Sequence, residues 1–270
     1  MRTALSWLLL ALPAAAGDAI DAWRRDIAAP VVIVRVEAGV RADPDEPVLG
    51  GYLANPAFRR ELDAAHALTL NHEDASGKRH FILLNAARSA EWRFAEEELL
   101  GHELGHVWLA ARGFDAPVFA PGPLACLAVH AGDIPQHVLI RREMRRRGIG
   151  GDRYQIRNLD ATLAALESGT LPELAPCQRL QFLSQWLDMR LSLPESAWPD
   201  WRRFDRAAAD RYPDLARHAT ALEGLVRGAR LSRRDGYLHA LRLVRQRLET
   251  ALAQRADMVL FGRQSSRQYP

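Results

Sequence analysis

The sequence predicts an α+β fold, in which a small antiparallel sheet is followed by one long helix and a large all-helical C-terminal half. With 48% hydrophobic and 26% charged residues in a chain of 270, a compact core is expected and global disorder is excluded. Runs rich in β-branched residues are confined to the first third of the chain. From Glu91 onward, the apolar residues recur with a helical period.

The N-terminus has the pattern of a secretory signal peptide, predicted for residues 1–17. A short positive start precedes an apolar stretch over residues 4–12, and small residues follow, with cleavage expected near Ala16. The stretch is shorter than the roughly 20 residues that a membrane-spanning helix needs. The mature chain is therefore expected to be periplasmic or secreted and to lack a transmembrane span, with an uncleaved anchor as the alternative.

Export changes what the two cysteines are expected to do. Cys126 and Cys177 are the only cysteines, and an even pair in an oxidising compartment is a candidate disulfide. Two buried free thiols are the alternative.

The first part of the chain is predicted to alternate short helices and strands. Helices are expected over residues 18–29 and 56–67. The expected strands cover residues 31–36, 48–53, 67–70 and 80–84. Because a polar loop containing Gly77 separates the last two runs, they are expected to pair as a hairpin.

The helical part begins with a predicted long helix over residues 91–112, with acidic residues in its early turns. Asp133 is the expected N-cap of a second helix that has Pro135 in its first turn and ends near residue 147. Further helical patterns cover residues 159–166, 177–191 and most of 198–256. Residues 18–150 are predicted to form one domain, and residues 151–270 a helical region packed on it.

A candidate metal site lies within the long helix. His102 and His106 are four residues apart, so one helical turn places both imidazoles on the same face. Two neutral imidazoles at this spacing reach one Zn²⁺ at about 2.0 to 2.1 Å. Glu103 projects beside the metal, where a carboxylate takes a proton from a metal-bound water. The pattern therefore predicts a zinc site, with two surface or core histidines and an incidental glutamate as the alternative.

The motif H-E-x-x-H resembles that of the zinc metallopeptidases called zincins, and the strand, hairpin and helix before it resemble the N-terminal half of their fold. The resemblance covers residues 66–147 and makes the long helix a zincin-like metal helix. It implies that His102 and His106 bind zinc and that Glu103 is the general base in peptide-bond hydrolysis.

The subfamily stays open. The metzincin pattern continues with Gly and His, but Leu109 and Arg112 occupy those positions here, so this subgroup is rejected. The subgroup with a glutamate ligand usually places its acid about twenty residues onward, where this chain has Val129 and His130.

A catalytic zinc needs a third protein ligand and one open position. The candidates that follow Gly113 are His130, Asp133, His137 and Glu143. Asp133 and His137 share one helix face, and a carboxylate beside a ligand imidazole is a common arrangement. We therefore favour His137 and rank Glu143 second, although arginine is the commoner partner of a buried glutamate.

The expected substrate is a peptide or protein. An extended peptide is expected to pair with an edge strand such as residues 81–84. A transition-state donor cannot be chosen from sequence among His218, His239 and Tyr154.

The charge balance argues against a nucleic-acid partner, because the formal net charge of the whole chain is only +3. Residues 201–270 nevertheless contain 15 Arg against 7 acidic residues. This excess supports an alternative function, an exported helical binding protein in which the metal is structural or absent and a partner docks on the Arg-rich helices.

Overall fold

A small sheet precedes a large set of packed helices, which confirms the predicted α+β class. The computed structural model describes residues 14–37, 46–75, 77–114, 118–119, 125–150, 152–252 and 258–259. Its strands are β1 (Val31–Val36), β2 (Ala67–Asp74), β3 (Gly77–Asn85), β4 (Val118–Phe119) and β5 (Met258–Val259). Its helices are α1 (Ala14–Arg25), α2 (Pro47–Ala54), α3 (Pro56–Ala64), α4 (Ser89–Trp92), α5 (Glu96–Ala111), α6 (Ala125–Arg147), α7 (Arg153–Glu167), α8 (Pro176–Ser192), α9 (Trp201–Arg211), α10 (Pro213–Gly228) and α11 (Arg234–Leu252).

The N-terminal segment is described only in part. Residues 1–13 of the predicted leader lie outside the described residues, and residues 14–17 begin α1. No helix in the described ranges is long and apolar enough to cross a membrane.

The three-stranded sheet is mixed, with the order β1-β3-β2. Strands β2 and β3 form the predicted antiparallel hairpin, but β1 pairs parallel to β3, with Val31 opposite His80. The predicted antiparallel pairing is therefore correct for β2 and β3 but not for β1. The chain crosses over through α2 and α3 after β1, and the hairpin then places β3 in the middle of the sheet. Residues 81–84 are paired on both sides, so the expectation that they bind a peptide at an edge is wrong.

The sheet buries both faces, following the two-residue period of its strands. On one face, Ile82 and Leu84 join the main core with α5. On the other face, Phe81 and Leu83 pack in a smaller cluster with Leu49 of α2 and neighbouring residues. The sheet therefore serves as a rigid support for α5.

The predicted strand over residues 48–53 is wrong, because these residues belong to α2. Pro47 occupies the first helical turn, where its fixed φ and missing N–H are tolerated. A short apolar run does not distinguish a buried strand from a buried helix by period alone.

The predicted long helix over residues 91–112 is interrupted before the candidate metal motif. Residues 93–95 form a 3₁₀ turn, and α5 begins only at Glu96. The fully buried Trp92 fixes this turn, since its indole N–H donates to the carbonyl of Asn85 at 3.0 Å.

Helix α6 packs closely on α5 because two glycines lie at the contact. A Cβ on Gly101 would be 2.7 Å from Cγ2 of Ile149, two residues beyond the end of α6, and a Cβ on Gly105 would be 2.5 Å from Cγ2 of Ile140 within α6. Both distances are shorter than any ordinary carbon contact. Gly101 directly precedes His102 and Gly105 directly precedes His106, so the segment that carries the candidate metal motif also sets the distance between the helices.

Helix α6 begins earlier than predicted, at Ala125, and contains Pro135 in its interior. Asp133 is therefore not an N-cap. A proline inside a helix leaves one carbonyl without its N–H partner, but Leu127 and Ala131 continue the buried face before it. Packing of this face, together with a disulfide at its first turn, outweighs the local preference of Pro135.

The disulfide is the predicted one. Cys126 in α6 is bonded to Cys177 in α8, with the Cα atoms 5.8 Å apart. The bridge links the helix that follows the candidate metal helix to the C-terminal half.

A hydrogen-bonded joint also connects α5 to α7. The buried carboxylate of Glu98 accepts from the Arg153 side chain and from the backbone N–H of Tyr154, each at 2.9 Å. The second bond satisfies an N–H that the first turn of α7 leaves free. Gly150 has a φ of +65°, and a Cβ there would lie 2.3 Å from Cγ of Glu98, so this joint requires glycine.

Candidate metal centre

The two histidines of the motif face each other on α5. Their Nε2 atoms are 3.3 Å apart, and both side chains are only partly buried. The predicted placement of His102 and His106 on one helix face is therefore found in the structure.

His137 of α6 completes a group of three imidazoles. Its ring centroid lies 4.6 Å from that of His102 and 5.5 Å from that of His106. One ligand atom from each ring can be chosen so that all three lie within 4.8 Å of one another. Within the described ranges, this is the only group of at least three histidine, cysteine or acidic side chains that meets this condition.

A hydrogen bond orients His106. Its Nδ1 lies 3.0 Å from Oε1 of Gln136, while Nε2 of Gln136 donates to the carbonyl of Phe114 at 3.0 Å. Because the amide oxygen of Gln136 accepts, Nδ1 of His106 is the protonated nitrogen. Its Nε2 then carries the free lone pair that a metal requires.

Burial keeps the imidazoles of α5 neutral. It lowers the pKa of His102 well below the ordinary value and that of His106 to about 4, and in both the nearby His137 acts in the same direction. At neutral pH, neither ring carries a positive charge. Two neutral rings with converging nitrogens suit a shared cation, because only unprotonated imidazole binds metal.

The carboxylate of Glu103 is buried beside strand β2. Oγ1 of Thr69 lies 2.8 Å from its Oε2 and 3.1 Å from its backbone carbonyl. Burial raises the pKa of Glu103 to about 7, and the hydrogen bond from Thr69 opposes this rise. A carboxylate with a pKa near the working pH both accepts and returns a proton efficiently.

The imidazole positions fit zinc. For tetrahedral zinc with nitrogens at about 2.05 Å, two ligand nitrogens are separated by about 3.3 Å, which is the distance between the Nε2 atoms of His102 and His106. The ligand nitrogen of His137 lies within 4.8 Å of those of His102 and His106. A movement of at most about 1.5 Å therefore brings it to the separation that zinc requires. Nδ1 of His102 is buried and has no hydrogen-bond partner among the described residues. Unlike His106, His102 therefore has no hydrogen bond at Nδ1 that fixes its tautomer.

The remaining candidate ligands have other partners. Both oxygens of Glu143 accept from Arg146, and Arg147 also donates to Oε1 at 2.7 Å. Nδ1 of His130 lies 3.6 Å from Oδ2 of Asp133. The structure therefore places neither Glu143 nor His130 in the imidazole group.

Asp133 lies next to the imidazoles without belonging to the group. Its Oδ1 is 3.9 Å from Nε2 of His137. Burial raises its pKa, but contact with His130 and the charges of His137 and His106 outweigh burial, so the net pKa lies below the usual range. A carboxylate at this position adds negative charge beside the candidate site.

Of the three possible transition-state donors, Tyr154 interacts with this region, whereas His239 is exposed on α11. The hydroxyl of Tyr154 is hydrogen-bonded to Nδ1 of His66, and the charge of Glu103 contributes to the raised pKa of the phenol, although burial is the main cause. His218 interacts instead with Arg247 and other charges of the C-terminal helices.

Thr69 and Gln136 were not predicted as site residues. Thr69 lies in the predicted hairpin and Gln136 beside His137, but a threonine in a strand and a glutamine in a helix have no distinctive spacing. Only their contacts with Glu103 and His106 reveal their roles.

No protein-family model, no curated protein and no solved structure matches this chain. The resemblance to zincins therefore rests on the five-residue motif and on the order of the elements before it.

Proposed function

We propose that this protein is an exported zinc-dependent metallopeptidase in which His102, His106 and His137 bind zinc. The observation that supports this function is the convergence of three imidazoles, two of them from the helix that also carries the buried carboxylate of Glu103. Three protein ligands leave one position of tetrahedral zinc open, as a catalytic site requires.

When bound, zinc supplies a Lewis acid that polarises the scissile carbonyl and lowers the pKa of a coordinated water. Glu103 accepts the proton of the attacking water as the new C–O bond forms. It then returns this proton to the leaving amine as the C–N bond breaks. Thr69 holds the carboxylate in place through both transfers.

Strand β2 is the element best placed to bind an extended substrate. It is an outer strand of the sheet and carries Thr69, which contacts the proposed base. An extended peptide binds an outer strand through main-chain hydrogen bonds. The predicted edge pairing is therefore reassigned from residues 81–84 to β2.

The test combines metal analysis with peptide cleavage. We expect about one zinc per chain, chelator-sensitive cleavage of an unstructured protein, and loss of cleavage in Glu103→Ala with zinc retained. His137→Ala is expected to lower zinc occupancy well below one. Undiminished cleavage by zinc-loaded Glu103→Ala would exclude the proposed role of this carboxylate.

A structural metal in a helical binding protein is the second candidate, and the position of Asp133 favours it. Its carboxylate lies 3.9 Å from Nε2 of His137, and a fourth protein ligand would close the site. Asp133→Asn separates the candidates: loss of zinc supports the closed site, whereas retained zinc with cleavage supports the hydrolase.

A further inference from the structure

We infer that Asp188 of α8 is a positioning residue for the candidate metal centre, where it orients His137 and balances the charge of Arg141. The inference rests on the proposed zinc site and deepens it, because it assigns a role in that site to the C-terminal half.

The two nitrogens of His137 face different carboxylates. Nε2 lies on the side of Asp133, whereas Nδ1 is 3.8 Å from Oδ2 of Asp188. If Nε2 binds the metal, Nδ1–H points toward Asp188. A ligand histidine usually donates its second N–H to a carboxylate or carbonyl, which fixes its tautomer and raises its basicity.

The separation between His137 and Asp188 is close to that of a hydrogen bond. A shift of about 0.9 Å brings Nδ1 to the usual distance of about 2.9 Å. Oδ1 of Asp188 is buried and has no partner within the part of the chain that the structure describes. A buried acceptor without a donor is costly, so this carboxylate has capacity for one further donor. The Nδ1–H of His137, whose nitrogen lies 3.8 Å from the other oxygen, Oδ2, is a candidate for that donor.

Two buried side chains bind the oxygen of Asp188 that faces His137. Nε2 of Gln155 in α7 donates to its Oδ2 at 3.0 Å, and Arg141 of α6 donates to the same oxygen at 3.3 Å. All three of these residues are buried. The carboxylate is therefore fixed before any metal binds, which is the property expected of a group that orients a ligand.

Asp188 also offsets a positive charge near the site. The guanidinium of Arg141 lies 3.3 Å from Oδ2 of Asp188, the same oxygen that faces His137 at 3.8 Å, so this positive charge lies close to a candidate ligand. An uncompensated cation there would oppose the binding of a second cation. The ion pair between Arg141 and Asp188 reduces this opposition.

The first experiment compares zinc affinity between Asp188→Asn and the unmodified full-length chain by competition with a chromophoric chelator. We expect binding about 10- to 100-fold weaker in the variant. Asp160→Asn is the matched control, because Asp160 also accepts a hydrogen bond in the C-terminal half, from Trp198 at 2.9 Å. Equal affinity of Asp188→Asn and the unmodified chain would overturn the inference.

The second experiment separates orientation from charge and protects against a folding defect. Since Asp188→Asn leaves Arg141 buried without its carboxylate, the variant Arg141→Met/Asp188→Asn removes both charges. We expect its zinc affinity to stay reduced and its Co²⁺ absorption spectrum to differ from that of the unmodified chain. Full recovery of affinity and spectrum would overturn the positioning role.

The readouts also distinguish failure of this inference from failure of the proposed function. An unmodified chain that binds no zinc would remove the metal site itself. A chain that binds zinc without cleaving peptides would remove only the hydrolase, and the affinity comparison at Asp188 would still apply.

Discussion

Substitution of Gly105 by alanine tests whether close packing of α5 on α6 builds the candidate site. The added Cβ would lie 2.5 Å from Cγ2 and 2.8 Å from Cγ1 of Ile140, whereas carbon contacts are normally about 3.5 to 4.0 Å. Overpacking of this kind costs about 1 to 3 kcal/mol. Alanine in place of glycine within a helix returns about 1 kcal/mol, so we expect a net loss of roughly 0 to 2 kcal/mol.

Gly224→Ala is the matched control. Gly224 lies within α10, and a Cβ there would meet nothing within 4 Å. This substitution is expected to stabilise the protein by about 1 kcal/mol. The two variants should therefore differ by about 1 to 3 kcal/mol in the free energy of unfolding measured with urea.

The contact partner provides a second check. In an Ile140→Ala background, the two shortest contacts are removed and only the Cβ of residue 140, at 3.1 Å, remains close, so Gly105→Ala should cost less than it does in the unmodified chain. We also expect Gly105→Ala, but not Gly224→Ala, to weaken zinc binding, because separation of the helices moves His137 from the pair on α5. If Gly105→Ala stabilised the protein as much as Gly224→Ala does, the packing argument would be refuted.

Two further predictions concern the base and the disulfide. Thr69→Val removes a hydrogen bond that lowers the pKa of Glu103. Because Glu103 then deprotonates at a higher pH, the acidic limb of the kcat/KM profile, expected near pH 7, should shift to higher pH. Unchanged profiles for Thr69→Val and the unmodified chain would contradict this role. Replacing Cys126 and Cys177 by alanine opens a loop closed by residues 51 positions apart, which should reduce the free energy of unfolding by about 4 kcal/mol in the chain-entropy model. Urea titration of this variant and of the reduced unmodified chain should give the same lowered midpoint, and an unshifted midpoint would count against the stabilising role of the bridge.

The features that could be predicted from sequence are local. The hairpin of β2 and β3 follows from two apolar runs and a glycine loop, and the shared face of His102 and His106 follows from helical spacing. The sequence favours His137 because a catalytic zinc needs a third ligand and His137 shares a helix face with Asp133. The structure brings His137 to within 4.8 Å of the pair on α5.

The features that could not be predicted depend on distant contacts. The parallel pairing of β1 with β3 is decided by the crossover through α2 and α3, which no local period encodes. Pro135 locally favours a helix start, but the buried face before it extends α6. Asp188 has no spacing that connects it to His137, so only the packing of α8 on α6 brings the two together.

The joint at Glu98 has a practical consequence for anyone who wishes to divide this molecule. Scission after residue 150 would take away Arg153 and Tyr154, the two donors to a carboxylate that is 1% exposed. An anion stripped of its donors in a dry environment is strongly unfavourable. A fragment ending there should therefore be insoluble or misfolded. Peptide-cleavage assays consequently require a protein that contains both the metal-binding region and the helical C-terminal half.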